Sequence, residues 1–173
     1  MDDERPDTFD RALATEQIRR IILSYPELVD RGDLAGVGRL LAGVRFGAAS
    51  GRNAPVIPRE QLTTRTAEEV RQTYESAVIF YDDGLPHTKH IISNIDIAFS
   101  DDRQTASSRC YYAVLQALDD FPLQLIIAGR YEDVFEATPE GWRLTTRREY
   151  SDLVGDLRRH VQAGVAHHLS SNG

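Results

Sequence analysis

The residues that could do chemistry gather in one extended stretch, His87-Thr88-Lys89-His90-Ile91-Ile92-Ser93-Asn94-Ile95-Asp96-Ile97. A neutral imidazole is the side chain best suited to take a proton near neutral pH, so His90 is the first candidate for a general base. Strand alternation puts His90, Ile92, Asn94 and Asp96 on one face and Lys89, Ile91, Ser93, Ile95 and Ile97 on the other. Asn94 therefore shares the face of His90 and can donate to a ligand oxygen. His87 is three residues from His90 and points the other way, which argues against a metal held by the two. On the next extended segment Tyr111 and Tyr112 occupy alternate faces, so only one of them can look into a pocket and offer a hydroxyl to a developing oxyanion. Arg130 can bind a carboxylate or enolate, although an ion pair with Glu132 is the commoner use of such a side chain. Asp133 and Asp96 read as solvated strand carboxylates.

Other groups point away from assisted chemistry. Cys110 has no activating partner in sequence and reads as a buried, inert thiol. His160, His167 and His168 lie in the tail, and adjacent histidines on a helix diverge by about 100°, so no metal site is expected. With no glycine-rich phosphate loop, nucleophile elbow or Walker pattern, no cofactor is expected either.

These residues must be positioned by one domain. The chain has 173 residues, 41% of them hydrophobic, enough for a single core without disulfides or metal. Twenty Lys and Arg against 27 Asp and Glu give a net charge of −7, which draws the protein neither to phosphate backbones nor to anionic lipid. The lone cysteine fits a reducing compartment. The acidic first dozen residues lack the basic start and apolar core of a signal peptide, and no run approaches the roughly 20 apolar residues of a membrane span. The expectation is a soluble, cytoplasmic protein without nucleic-acid or membrane partners.

Helical spacing of Ile18, Ile21, Ile22, Tyr25, Leu28 and Val29 predicts a first helix, with Pro26 expected to kink or break it. Gly32 suits a left-handed cap, and Asp33 can open a second short helix carrying Leu34, Val37, Leu40 and Leu41. Val44 to Ala48 reads as a strand, with a second strand possible near Val56-Ile57. Thr66 and Glu69 have capping-box spacing before a third helix. The period then becomes strand-like for four long segments, roughly Thr88 to Phe99, Thr105 to Leu118, Leu123 to Glu136 and Trp142 to Tyr150, joined by short turns. Ser151 to His168 reads as a terminal helix. Helices first and a long meander afterwards is an α+β order, with helices covering one face of a curved sheet. The divisions are a flexible N-terminus (1–12), the domain (13–152), and a C-terminal helix with frayed tail (153–173).

The order of elements, Tyr25 to Asp30 ending in Asp-Arg-Gly-Asp, His90-x-x-x-Asn94, and Gly129-Arg130-Tyr131 answered by Gly141-Trp142-Arg143-Leu144 resemble the SnoaL-like branch of the nuclear transport factor 2-like superfamily. The resemblance spans about residues 12 to 150 and implies a cone of curved, mixed but mainly antiparallel sheet, closed by helices around an internal pocket. Members include scytalone dehydratase, polyketide cyclases, ketosteroid isomerase, limonene epoxide hydrolase, hexachlorocyclohexane dehydrochlorinase and dioxygenase small subunits. The dehydratase and dehydrochlorinase members pair an aspartate ending helix one with a histidine on the first long strand, positions matched by Asp30 and His90. Tyr25 stands where relatives often carry a polar pocket residue. The second histidine that scytalone dehydratase has on its next strand is missing from Arg109 to Gln116. The implied function is a cofactor-independent lyase or isomerase, dehydratase-like, acting on a small apolar, cyclic molecule. The alternatives are a binding module without turnover, or an assembly subunit. A homodimer or homotrimer is expected through the apolar set Ile91, Ile95, Ile97 and Phe99.

Overall fold

A computed structural model describes residues 10–165. Helix α1 (Arg11–Asp30) starts four residues before Thr15, because Asp10 caps it by accepting from the Leu13 backbone N–H at 3.0 Å. The helix does not break at Pro26. Ile18, Ile22, Tyr25 and Val29 are all buried on one stripe, and their packing holds the helix through the proline. Gly32 takes a φ of 67°, the left-handed geometry that turns the chain into α2 (Leu34–Leu41), whose cap is Asp33 accepting from Gly36 at 2.7 Å. Helix α3 (Ala67–Ala77) begins on the expected capping box of Thr66 and Glu69.

The sheet has five strands in the order β1-β5-β4-β3-β2: β1 (Arg45–Ser50), β2 (Thr88–Phe99), β3 (Thr105–Leu118), β4 (Phe121–Thr138) and β5 (Gly141–Val154). The four long strands form the antiparallel meander, and β1 adds to β5 in parallel, so the sheet is mixed and open at β1 and β2. No strand forms at Val56-Ile57. Ile57 is instead clamped over the outer side of β5, its N–H donating to the Tyr150 hydroxyl at 3.1 Å and its carbonyl accepting from Arg148 at 2.8 Å. Bulges interrupt β2, β4 and β5 and bend the sheet around the helices.

Two expectations change. Ser151 to Val154 continues β5, residues 158–160 form a turn, and helix begins only at 163, so most of the predicted terminal helix is absent; Ser151 pairs with Ser50 on β1, and that ladder wins over the local helical pattern. The segment after β5 returns across the open end of the cone, bridging Val161 to Val78 and accepting at the His160 carbonyl from the Ile79 N–H at 2.8 Å. The bulge between Ser93 and Asp96 also reverses strand parity. Asn94 sits in it with a φ of 52°, and beyond it Ile95, Ile97 and Phe99 turn inward to join Ile92 against the core, leaving Ile91 outside at 49% exposed. The apolar set expected on one outer face is therefore split. His167-His168 and both chain ends lie outside the described residues.

Candidate active site

Asp30 ends α1 and His90 lies on β2, and the fold brings them into contact. His90 Nδ1 is 2.6 Å from Asp30 Oδ1, and the two side chains are 7% and 8% exposed. The carboxylate also accepts from the Thr88 hydroxyl at 2.8 Å and from the His90 backbone N–H at 2.9 Å. Burial alone would raise the Asp30 pKa, but the hydrogen bonds from His90 and Thr88 outweigh it and hold the group below its usual range. An ionised Asp30 keeps the proton on Nδ1 and leaves Nε2 with the lone pair a base needs.

His90 lines a cavity of about 250 Å³. Its walls are largely apolar, with Val29 from α1, Val70 from α3, Val114 from β3 and Ile127 from β4 among them. Its polar groups include Tyr25, Tyr74, Tyr112, Tyr131, Glu149 and His160, with Arg65, Thr63, Thr73 and Ser151 also on the lining. The tyrosines form a connected set: the Tyr25 and Tyr74 hydroxyls are 2.7 Å apart, and Tyr112 stacks on Tyr131 with ring centres 4.6 Å apart. Burial pushes all four phenols up, so they stay neutral.

Of the residues singled out from sequence, Tyr25 and Tyr112 join His90 at the cavity. Tyr111 is outside, 48% exposed. Asn94 is exposed in the bulge and does not line the cavity, because the bulge ends the alternation that placed it beside His90. Arg130 does not line it either: it pairs with Asp152, lies 3.5 Å from Glu132, and stacks over Tyr150. Asp133 is not solvated; it is buried against Arg147, with contacts of 2.9 and 2.6 Å. His87 meets Asp83 at 3.1 Å.

The sequence pattern that defines the SnoaL-like domain matches residues 10–148. The chain belongs to the SnoaL-like family. A comparison with curated proteins finds no match. Solved structures share the fold at low identity. A candidate aromatic-ring-hydroxylating dioxygenase beta subunit from Novosphingobium aromaticivorans is 19% identical with a TM-score of 0.61, covering 83% of this chain and 92% of that one. A candidate dehydratase of the NTF2-like family from Streptomyces avermitilis is 17% identical at 0.56, covering 84% and 100%. A candidate scytalone dehydratase from N. aromaticivorans is 16% identical at 0.56, covering 84% and 88%.

Within this SnoaL-like cone two polar groups escape the sequence reading. His160, read from sequence only as a tail histidine, reaches the cavity from the segment after β5. It is 9% exposed, and burial pushes its pKa down to about 4, helped by His90 and opposed by Asp30. Glu149 was hidden in the charged run Arg147-Arg148-Glu149. The usable signal was parity: Arg147, Glu149 and Ser151 share the inward face of β5.

Proposed function

We propose that this chain is a cofactor-independent lyase or isomerase that acts on a small, largely apolar, cyclic substrate by proton transfer. His90 Nε2 takes a proton from carbon, and Asp30 holds the imidazole in the right tautomer and stabilises the imidazolium. The observation that carries this reading is the 2.6 Å contact between His90 and Asp30 at the wall of an apolar cavity. Structural neighbours named as candidate dehydratases support the lyase direction. Tyr25 and Tyr112 are the substrate-contacting residues of this proposal; Asn94, Tyr111 and Arg130 have no part in it.

A thermal-shift panel of cyclic ketones, phenols, cyclic alcohols, epoxides and haloalkanes identifies the ligand class, since binding to the native state raises stability. Turnover of the hits is then compared in His90→Ala and Asp30→Asn. The expected loss is about 10²- to 10⁴-fold for His90→Ala, with the fold intact. Ligand binding without any dyad-dependent turnover would leave a binding module.

A second reading, assembly, is favoured by the outer sheet face. Ile91, Ala113, Ala128 and Leu153 lie in one register row across four strands, flanked by Tyr111 and Leu125. That face supports a homodimer or homotrimer, and it is separate from the cavity, so the two readings are compatible.

A further inference from the structure

Glu149 is unlike the other polar groups of the cavity. It lies on β5 in register with Tyr131 of β4 and Ala48 of β1, and lines the same cavity as His90. Among the described residues its carboxyl forms no hydrogen bond and no ion pair. The cation nearest along its strand face, Arg147, is already committed: it is fully buried in a two-point contact with Asp133 and lies over the rings of Tyr25 and Tyr131. A bare carboxylate in an apolar enclosure costs far more than the neutral acid. Burial accordingly pushes the Glu149 carboxyl up, against the pull of Arg147 and His90 and with help from Asp133.

We propose that Glu149 is the proton donor of this cavity, recognising a neutral hydroxyl or carbonyl compound by its oxygen and protonating that oxygen as it leaves or gains charge. The inference rests on the proposed function and narrows its substrate class. In an elimination His90 Nε2 takes hydrogen from carbon, and the C–H pair becomes the new C=C bond. The adjacent C–O bond breaks with its pair on oxygen, which takes the Glu149 proton and departs as water. Imidazolium and carboxylate remain, and proton return through solvent restores both. A halide needs no proton to leave, so a donor here serves oxygen leaving groups and enolisable carbonyls.

The groups facing Glu149 permit this. Tyr25 of α1, Tyr74 of α3, Tyr112 of β3 and Tyr131 of β4 are all held neutral by burial. His90 of β2 is engaged with Asp30, and His160, pushed down to about 4, carries no charge near neutrality. Arg65 lines the cavity from the chain before α3.

The test uses the whole chain with carboxyl-labelled glutamate, followed by NMR across the pH range, and one probe, 2-tetralone. One glutamate signal, assigned by its absence in Glu149→Gln, is expected to titrate above the others and to shift further up when 2-tetralone binds. Glu149→Gln, which keeps a hydrogen-bond donor, should hold 2-tetralone within about threefold of wild type, and Glu149→Leu should weaken it by about tenfold, the worth of one hydrogen bond. Glu149 titrating with the other glutamates, or 2-tetralone failing to bind wild type or holding equally to Glu149→Leu, overturns the donor. None of these outcomes touches the His90–Asp30 pair; conversely, a high-titrating, ketone-responsive Glu149 in a protein with no His90-dependent turnover overturns the proposed function and keeps the donor.

Discussion

At the scale of single residues, the site is set by which buried groups find partners. Asp30 finds three hydrogen bonds, from Thr88, the His90 backbone and the His90 ring. Its folded-state pKa is lowered, so it adds stability above the ordinary carboxylate range that is lost as pH falls through the folded value. Asp30→Asn should therefore cost about 1–3 kcal/mol at neutral pH, measured by urea unfolding, with the difference shrinking on the acid side. His160 shows the opposite case. Its Nδ1 has no hydrogen-bond partner among the described residues, and burial lowers its pKa to about 4 in the folded protein against about 6.5 in the unfolded chain. Between those values the unfolded chain binds the proton and the folded one does not. Stability then drops on acidification through that window, by about 3 kcal/mol at 1.36 kcal/mol per unit. His160→Phe should remove this part of the acid slope, read from melting temperatures between about pH 4 and 7.

At the scale of elements, the decisive feature is the bulge in β2. It lets one strand present His90 and Ile92 inward before it and Ile95, Ile97 and Phe99 inward after it, although the two sets differ in parity. Asn94 supports the bulge by tolerating a left-handed backbone, which a β-branched side chain resists. Asn94→Gly is expected to be close to neutral, and Asn94→Val to cost about 1–3 kcal/mol in unfolding free energy. If Asn94 instead served the ligand, the glycine variant would lose binding as well, which a titration with the identified ligand checks. The segment after β5 is the other positioning element. It is tied at Ile79 to the His160 carbonyl and at the Gln116 side chain to the Arg159 carbonyl, and so delivers His160 to the cavity without a helix.

For the whole molecule, the helices and the segment after β5 cover the inner face of the sheet, while the outer face of β2 to β5 keeps Ile91, Tyr111, Leu125 and Leu153 between 48% and 50% exposed. A contiguous apolar row of this kind is characteristic of an interface. Light scattering on Tyr111→Lys combined with Leu125→Lys should show a smaller species than wild type, with the cavity's ligand affinity retained. Wild type remaining a monomer at high concentration would remove the assembly reading.

The sequence by itself determined the class of fold and singled out Asp30 and His90, two residues that the fold brings into contact. The first three helical stripes, the Thr66–Glu69 capping box, Gly32 and four long alternating segments are local patterns with local causes, and each formed where it was read, within a few residues at the element ends. The pairing of Asp30 with His90 was legible through resemblance, since the two lie 60 positions apart and no periodicity links them. What the tertiary structure decided was which side chains share the cavity. A single extra residue in β2 reversed its parity and removed Asn94; pairing of Ser151 with Ser50 turned a helical pattern into strand; and that choice let the following segment carry His160 to the cavity. Such outcomes depend on register between distant strands and on burial that leaves some polar groups paired and others bare, quantities that exist only once the chain has closed on itself.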